Sequence, residues 1–198
     1  MVATSKKHGV QIIVFALTLL GGATIAALAD TMEERLAPCL ACHGAQGQSD
    51  KPEVPSLGAQ PAFYLLVQLY MFREGMRVVE PMNEMMKGTS DDELRSMSDF
   101  ISKLPPPQPA AENDDATRLD QARSLIHANR CNYCHSQNFV GGENIPRLAG
   151  QREDYLVKAL RAYKHNTRRA YEPWMSNVLY TITDEQLAEL AYFLARVR

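Results

Sequence analysis

Cys39-Leu40-Ala41-Cys42-His43 and Cys131-Asn132-Tyr133-Cys134-His135 hold all four cysteines of this 198-residue chain, and a histidine follows each pair at once. On a helical turn, residues three and four apart share a face. Two thiols at i and i+3 then reach two points on one edge of a porphyrin, while the imidazole at i+4 projects under its centre. This is the attachment signature of c-type haem. A tetrahedral Zn²⁺ also takes two CxxC pairs, but it leaves both histidines and the duplication described next without a role. A thioredoxin-like dithiol needs a βαβ pattern, and strand-period Val and Ile alternation is missing.

Outward from the two motifs the chain repeats itself. Pro55-Ser56-Leu57 corresponds to Pro146-Arg147-Leu148, Tyr64-Leu65 to Tyr155-Leu156, Phe72-Arg73 to Tyr163-Lys164, and Arg77 to Arg168. Two extra residues, Trp174 among them, then enter the second copy, and Glu80-Pro81-Met82 corresponds to Glu172-Pro173 and Met175. Ser90 to Leu94 matches Thr183 to Leu187, and Phe100 matches Phe193. The expected organisation is a leader over 1–29, one unit over 30–104, a connector over 105–115 and a second unit over 116–198.

Each unit reads as helical. Thr31 with Glu34, Ser90 with Glu93, and Thr183 with Gln186 are capping-box patterns. Pro61 suits a first helical turn, and Phe63, Leu66, Val67 and Tyr70 follow at helical spacing before Gly75. Leu94, Met97 and Ile101 mark one helix face, and Leu187, Leu190 and Leu194 another. The fold class is therefore all-α, with two tandem helical units each wrapped around one haem. Units this small bury a modest fraction of their surface, and a covalently held apolar plate gives them a core. The connector, with Pro105, Pro106, Pro107 and Pro109 followed by acidic residues, favours a stiff extended chain of at most roughly 34 Å.

The second axial ligand separates a carrier from an enzyme. Met82 stands 39 residues after His43, and Met175 stands 40 after His135. A methionine sulfur opposite histidine fills the sixth site of the iron and raises its potential, an arrangement used for electron transfer. Met82, Met85 and Met86 share a helical face and also suit core packing, but only Met82 has a methionine partner in the other copy. His127 and His165 correspond to Arg35 and Glu74, so they read as surface residues. Pro55 and Pro146 are placed to accept the second imidazole N–H of each ligand histidine through their carbonyls.

Lys6, Lys7 and His8 precede twenty-one uncharged residues that end in Ala27-Leu28-Ala29, the pattern of an export leader cut after Ala29. The same stretch is nearly long enough to remain as a membrane anchor. Hydrophobic residues make up 45% of the chain and charged ones 22%, which excludes a disordered chain. The formal net charge of −2 lacks the cationic field of a nucleic-acid binder. Charge is nonetheless unevenly placed, at −5 over residues 30–104 and +4 over 116–198.

Together, Cys39 to Gly44, the Pro146-Arg147-Leu148-Ala149-Gly150-Gln151 segment and the methionines ahead of Thr89-Ser90 and Ile182-Thr183 resemble the class I c-type cytochromes. Within these the chain is most similar to the two-domain di-haem cytochromes of the c4 type. The resemblance covers about residues 31–104 and 116–197. The first copy has Leu57-Gly58-Ala59-Gln60 where the family has Leu-Ala-Gly-Gln, and the second has no close counterpart of Gly44 to Ser49. The resemblance implies a periplasmic electron carrier with two covalently bound haem c groups and no reaction of its own. Cys39, Cys42, Cys131 and Cys134 would be the attachment points, His43 and His135 the proximal ligands, and Met82 and Met175 the distal ones. Its partners would be redox proteins: a donor dehydrogenase or quinol-oxidising complex and an acceptor oxidase or reductase. A similar pair of domains forms the cytochrome subunit of flavocytochrome c sulfide dehydrogenases, the rival expectation.

Overall fold

The computed structural model describes Met1 and residues 31–111, 114–168 and 173–198; the leader expected over 1–29 otherwise lies outside the described residues. Among them the first half forms α1 (Met32–His43), α2 (Ala62–Arg73), α3 (Glu80–Met86) and α4 (Asp91–Ser102). The second half forms α5 (Ala116–Asn129), α6 (Cys131–His135), α7 (Glu153–Lys164), α8 (Trp174–Leu179) and α9 (Asp184–Leu194). One isolated bridge, Gly142 with Ile145, is the only β pairing among the described residues.

All three capping boxes form, so α1, α4 and α9 each start where two otherwise orphaned N–H groups find partners. Pro61 sits one place earlier than expected, as the N-cap of α2. The interior of α2 also differs from the expectation. Leu65, Leu69, Met71 and Phe72 are buried, whereas Phe63 and Tyr70 remain 51% and 43% exposed. That helix is apolar on every side, so spacing alone does not select its inner face.

In the second half, α5 and α7 pack on α9, and α8 on α7. They close one continuous core that includes Leu156, Leu179, Leu187, Leu190 and Leu194. In the first half, α2 packs on α3 and α4, and α1 on α4. Its core is divided, with Leu69, Phe72, Met86 and Leu94 in one cluster and Leu36, Leu65 and Ile101 in another. Met97 touches both.

The loop after each CxxCH follows the same path despite dissimilar sequence. The carbonyl of Gly47 accepts from Leu57 N–H (2.7 Å) and Gly58 N–H (3.0 Å), and that of Phe139 accepts from Leu148 N–H (2.8 Å) and Ala149 N–H (3.0 Å). Both residues have positive φ, 74° and 55°. Phe139 carries the backbone strain of that region with its ring buried edge-on against Phe193.

Residues 105–111 carry no helix or strand, in line with an extended connector, but they do not hold the halves apart. Gln108 N–H donates to Gln48 Oε1 (3.1 Å) in the first half, and Ala110 N–H to the Ala195 carbonyl (2.8 Å) in the second. Proline removes donors and fixes φ without preventing the remaining amides from docking.

Candidate functional site

Each CxxCH motif sits on a helical turn, the first at the end of the continuous α1 and the second on the separate α6. Pro38 lies inside α1 directly before Cys39. Arg130, at the matching place, adopts a left-handed conformation (φ 53°) that separates α5 from α6. Cys39 and Cys131 are half-buried, Cys42 and Cys134 exposed, and all four thiols are free. No group of three or more His, Cys, Asp or Glu side chains converges as a metal cage among the described residues.

His43 and His135 are buried, 7% and 5% exposed. His43 Nδ1 lies 2.8 Å from the Pro55 carbonyl oxygen, and His135 Nδ1 lies 3.1 Å from that of Pro146. A carbonyl only accepts, so Nδ1 carries the hydrogen and Nε2 keeps its lone pair. Burial pushes both imidazoles below the ordinary histidine value, against the carbonyl bonds. A neutral imidazole oriented from behind is the form that ligates a metal.

The short helices α3 and α8 carry the methionines. Met86 is 2% exposed and packs in the core, and Leu179 occupies the equivalent place, also at 2%. Packing at that position therefore does not demand sulfur. Met82 and Met175 are only partly buried, at the margins of the two cores, and methionine stands there in both copies. Met85 is exposed. His127 and His165 are both exposed, the latter 3.9 Å from Asp184.

Between the halves lies a polar arrangement that motif reading missed. Gln151 Nε2 donates to the Ser56 carbonyl (2.8 Å) while its Oε1 accepts from Ser56 N–H (2.8 Å). Gln60 does the same to Arg147, at 2.9 and 3.0 Å. Ser56 and Arg147 are equivalent, as are Gln60 and Gln151, so the contact has approximate two-fold symmetry. Beside it, the Arg168 guanidinium donates to the hydroxyls of Tyr155 (3.0 Å) and, across the interface, Tyr64 (3.1 Å). Gln68 Oε1 accepts from Arg77 at 2.7 Å. Burial opposes the Arg168 charge, but the Tyr155, Tyr64 and Tyr163 oxygens outweigh it and keep the group protonated. Burial likewise raises Tyr64, whereas the Arg168 and Arg77 charges outweigh burial at Tyr155 and lower it. The advance signal was identity between the copies, Gln60 with Gln151, Tyr64 with Tyr155 and Arg77 with Arg168, which gave no role.

These residues fit a covalently attached porphyrin. The thiols are free, the imidazoles are oriented with a lone pair available, and the buried Nε of Arg168 has no hydrogen-bond partner, a donor suited to one of the porphyrin's carboxylates. The cytochrome c family profile matches residues 119–198. A thiosulfate dehydrogenase electron acceptor of Thiomonas intermedia is 32% identical over 170 residues, covering 80% of this chain and 78% of that protein. Cytochrome c4 of Pseudomonas aeruginosa is 30% identical over 165 residues, covering 79% and 81%. The crystal structure of reduced recombinant cytochrome c4 from Pseudomonas stutzeri superposes with a TM-score of 0.77 at 25% identity, covering 84% of this chain and 97% of that one. Duplicated CxxCH helices, the two-fold polar contact and relatives spanning both halves lead to one family: the chain belongs to the di-haem cytochromes of the c4 type, and its chemistry is electron transfer through covalently bound haem.

Proposed function

We propose that this chain is a periplasmic carrier of single electrons with one haem in each unit, over residues 30–104 and 116–198, and no reaction of its own. Cys39 and Cys42 hold one haem by thioethers, and Cys131 and Cys134 the other. His43 and Met82 close one iron; His135 and Met175 close the second. The bound group supplies a one-electron iron couple, whose potential methionine opposite histidine raises. The carbonyls of Pro55 and Pro146 orient the imidazoles and raise their basicity. The observation that carries the reading is the equality of the two halves. Each has an oriented buried histidine after CxxC and a methionine on the following short helix, so neither iron keeps an open site for a substrate.

The leader over 1–29 directs export, by cleavage after Ala29 or as a retained anchor. Among the described residues no helix is long and apolar enough to cross a membrane. The likeness to a thiosulfate dehydrogenase electron acceptor supports a dehydrogenase as the electron donor. It also favours a second reading, a cytochrome subunit bound to such an enzyme, which stoichiometric co-purification would reveal. The primary test is a haem count with absorption spectra of the oxidised protein, with and without cyanide or CO. Two low-spin haems per chain with the sulfur-to-iron charge-transfer band are expected. One haem, or a high-spin iron that binds the added ligand readily, would overturn the carrier.

A further inference from the structure

The peptide unit behind each ligand histidine is held at both ends, and the second hold comes from the opposite half. The Pro55–Ser56 peptide accepts from His43 Nδ1 through its carbonyl at 2.8 Å and donates through its N–H to Gln151 Oε1 at 2.8 Å. The Pro146–Arg147 peptide accepts from His135 Nδ1 at 3.1 Å and donates to Gln60 Oε1 at 3.0 Å. Both glutamines are buried, 5% and 4% exposed, so no water competes freely for these bonds. An amide is conjugated from nitrogen to oxygen. A hydrogen bond accepted from its N–H therefore moves electron density onto its carbonyl and strengthens the next bond in the chain, by about 10–30% per bond.

We propose that Gln151 sets the reduction potential of the haem on His43, and Gln60 that of the haem on His135, each acting across the interface through a single peptide. This rests on His43 and His135 being iron ligands. A more electron-rich carbonyl draws the Nδ1 proton and makes the imidazole a stronger donor, which favours ferric iron and lowers the potential. The coupling is reciprocal: oxidation of the His43 centre tightens the Gln151–Ser56 contact. Gln60 and Gln151 are positioning residues in this scheme, and docking of the halves is part of how each centre is tuned.

The test uses the full-length holoprotein in a redox titration followed by NMR, with haem resonances assigned to each half. Gln151→Met is expected to favour the reduced form of the His43 centre about threefold, or about 28 mV at 59 mV per tenfold for one electron. The His135 centre should move far less. Gln60→Met should give the mirror result. A shift in the half that carries the substitution, an equal shift in both, or no shift overturns the proposal. If either Met variant fails to assemble, Gln→Asn at the same site keeps an amide too short for the contact and is read the same way. Tyr64→Phe removes the cross-interface bond to Arg168 and leaves both peptides intact. It should not reproduce the crossed pattern, and doing so would reduce the effect to loosening of the interface. The parent's haem count and spin state are recorded first. Loss of two low-spin centres there removes the ligand assignment, whereas two intact centres with an uncrossed shift remove only the role of the glutamines.

Discussion

Gly58→Ala tests whether the proline-rich connector is structural packing or a spacer. The backbone at Gly58 is not left-handed, so alanine meets no conformational penalty there. The space is what is lacking. An added Cβ would overlap the Pro105 carbonyl oxygen, with the carbonyl carbon at 3.2 Å and the Gln46 carbonyl oxygen at 3.3 Å. These are backbone atoms, so relief requires the connector to move, which also strains the Ala59 N–H bond to the Leu104 carbonyl (3.0 Å). Overpacking costs about 1–3 kcal/mol and a weakened hydrogen bond about 0.5–1.5 kcal/mol. Reduced freedom of the unfolded chain returns about 0.4–1 kcal/mol. A net destabilisation near 2 kcal/mol corresponds to a Tm about 4–8 °C lower for a chain of this size. The control is Gly142→Ala, also outside the left-handed region, where a Cβ meets nothing within 4 Å. It should be neutral or slightly stabilising. Thermal unfolding of the holoproteins by circular dichroism decides, and a Gly58→Ala protein melting no lower than Gly142→Ala would refute the packed connector.

Met86→Leu should leave the sulfur-to-iron absorption intact and cost less than about 1.5 kcal/mol, since Leu179 already fills the equivalent place; Met82→Leu should abolish that absorption for one haem. Glu93 is held down to about 2 by the Ser90 backbone N–H, the Ser90 hydroxyl and Arg35. Its folded pKa is depressed, so its contribution to stability is complete above the unfolded value near 4.5 and is lost as pH falls through about 2. Ser90→Ala should raise the Glu93 pKa and move that loss to higher pH, read by NMR titration of the carboxyl carbon. The opposite charges of the two sequence halves predict that a cationic partner reduces or oxidises the first half, and an anionic partner the second, with rates that fall at least tenfold from low to high salt. Stopped-flow rates independent of ionic strength for both kinds of partner would exclude this polarity.

Much of the site was legible because its chemistry is local. Cysteines three apart with an adjacent histidine define a face on any helical turn, and the capping boxes act within four residues, so α1, α4 and α9 and the attachment motifs follow from spacing. The duplication carried the distinction between Met82 and Met86, because the second copy holds methionine at one place and leucine at the other.

The inner face of α2 was not legible, since Phe63 and Leu65 are equally apolar and it is packing with Leu36 of α1 and Ile101 of α4 that takes Leu65 inside. The loop path shared by Gly47 and Phe139 was hidden, because a buried aromatic contact supports a positive φ that sequence assigns to glycine. Above all, the joining of the halves is a tertiary outcome. Gln60 meets Arg147 and Gln151 meets Ser56 across separations of 87 and 95 residues, through backbone groups that every residue possesses. Side-chain identity fixes what a local turn can bind, whereas contacts to common backbone atoms leave no trace in composition or spacing, and only the folded chain decides which peptides face which amides.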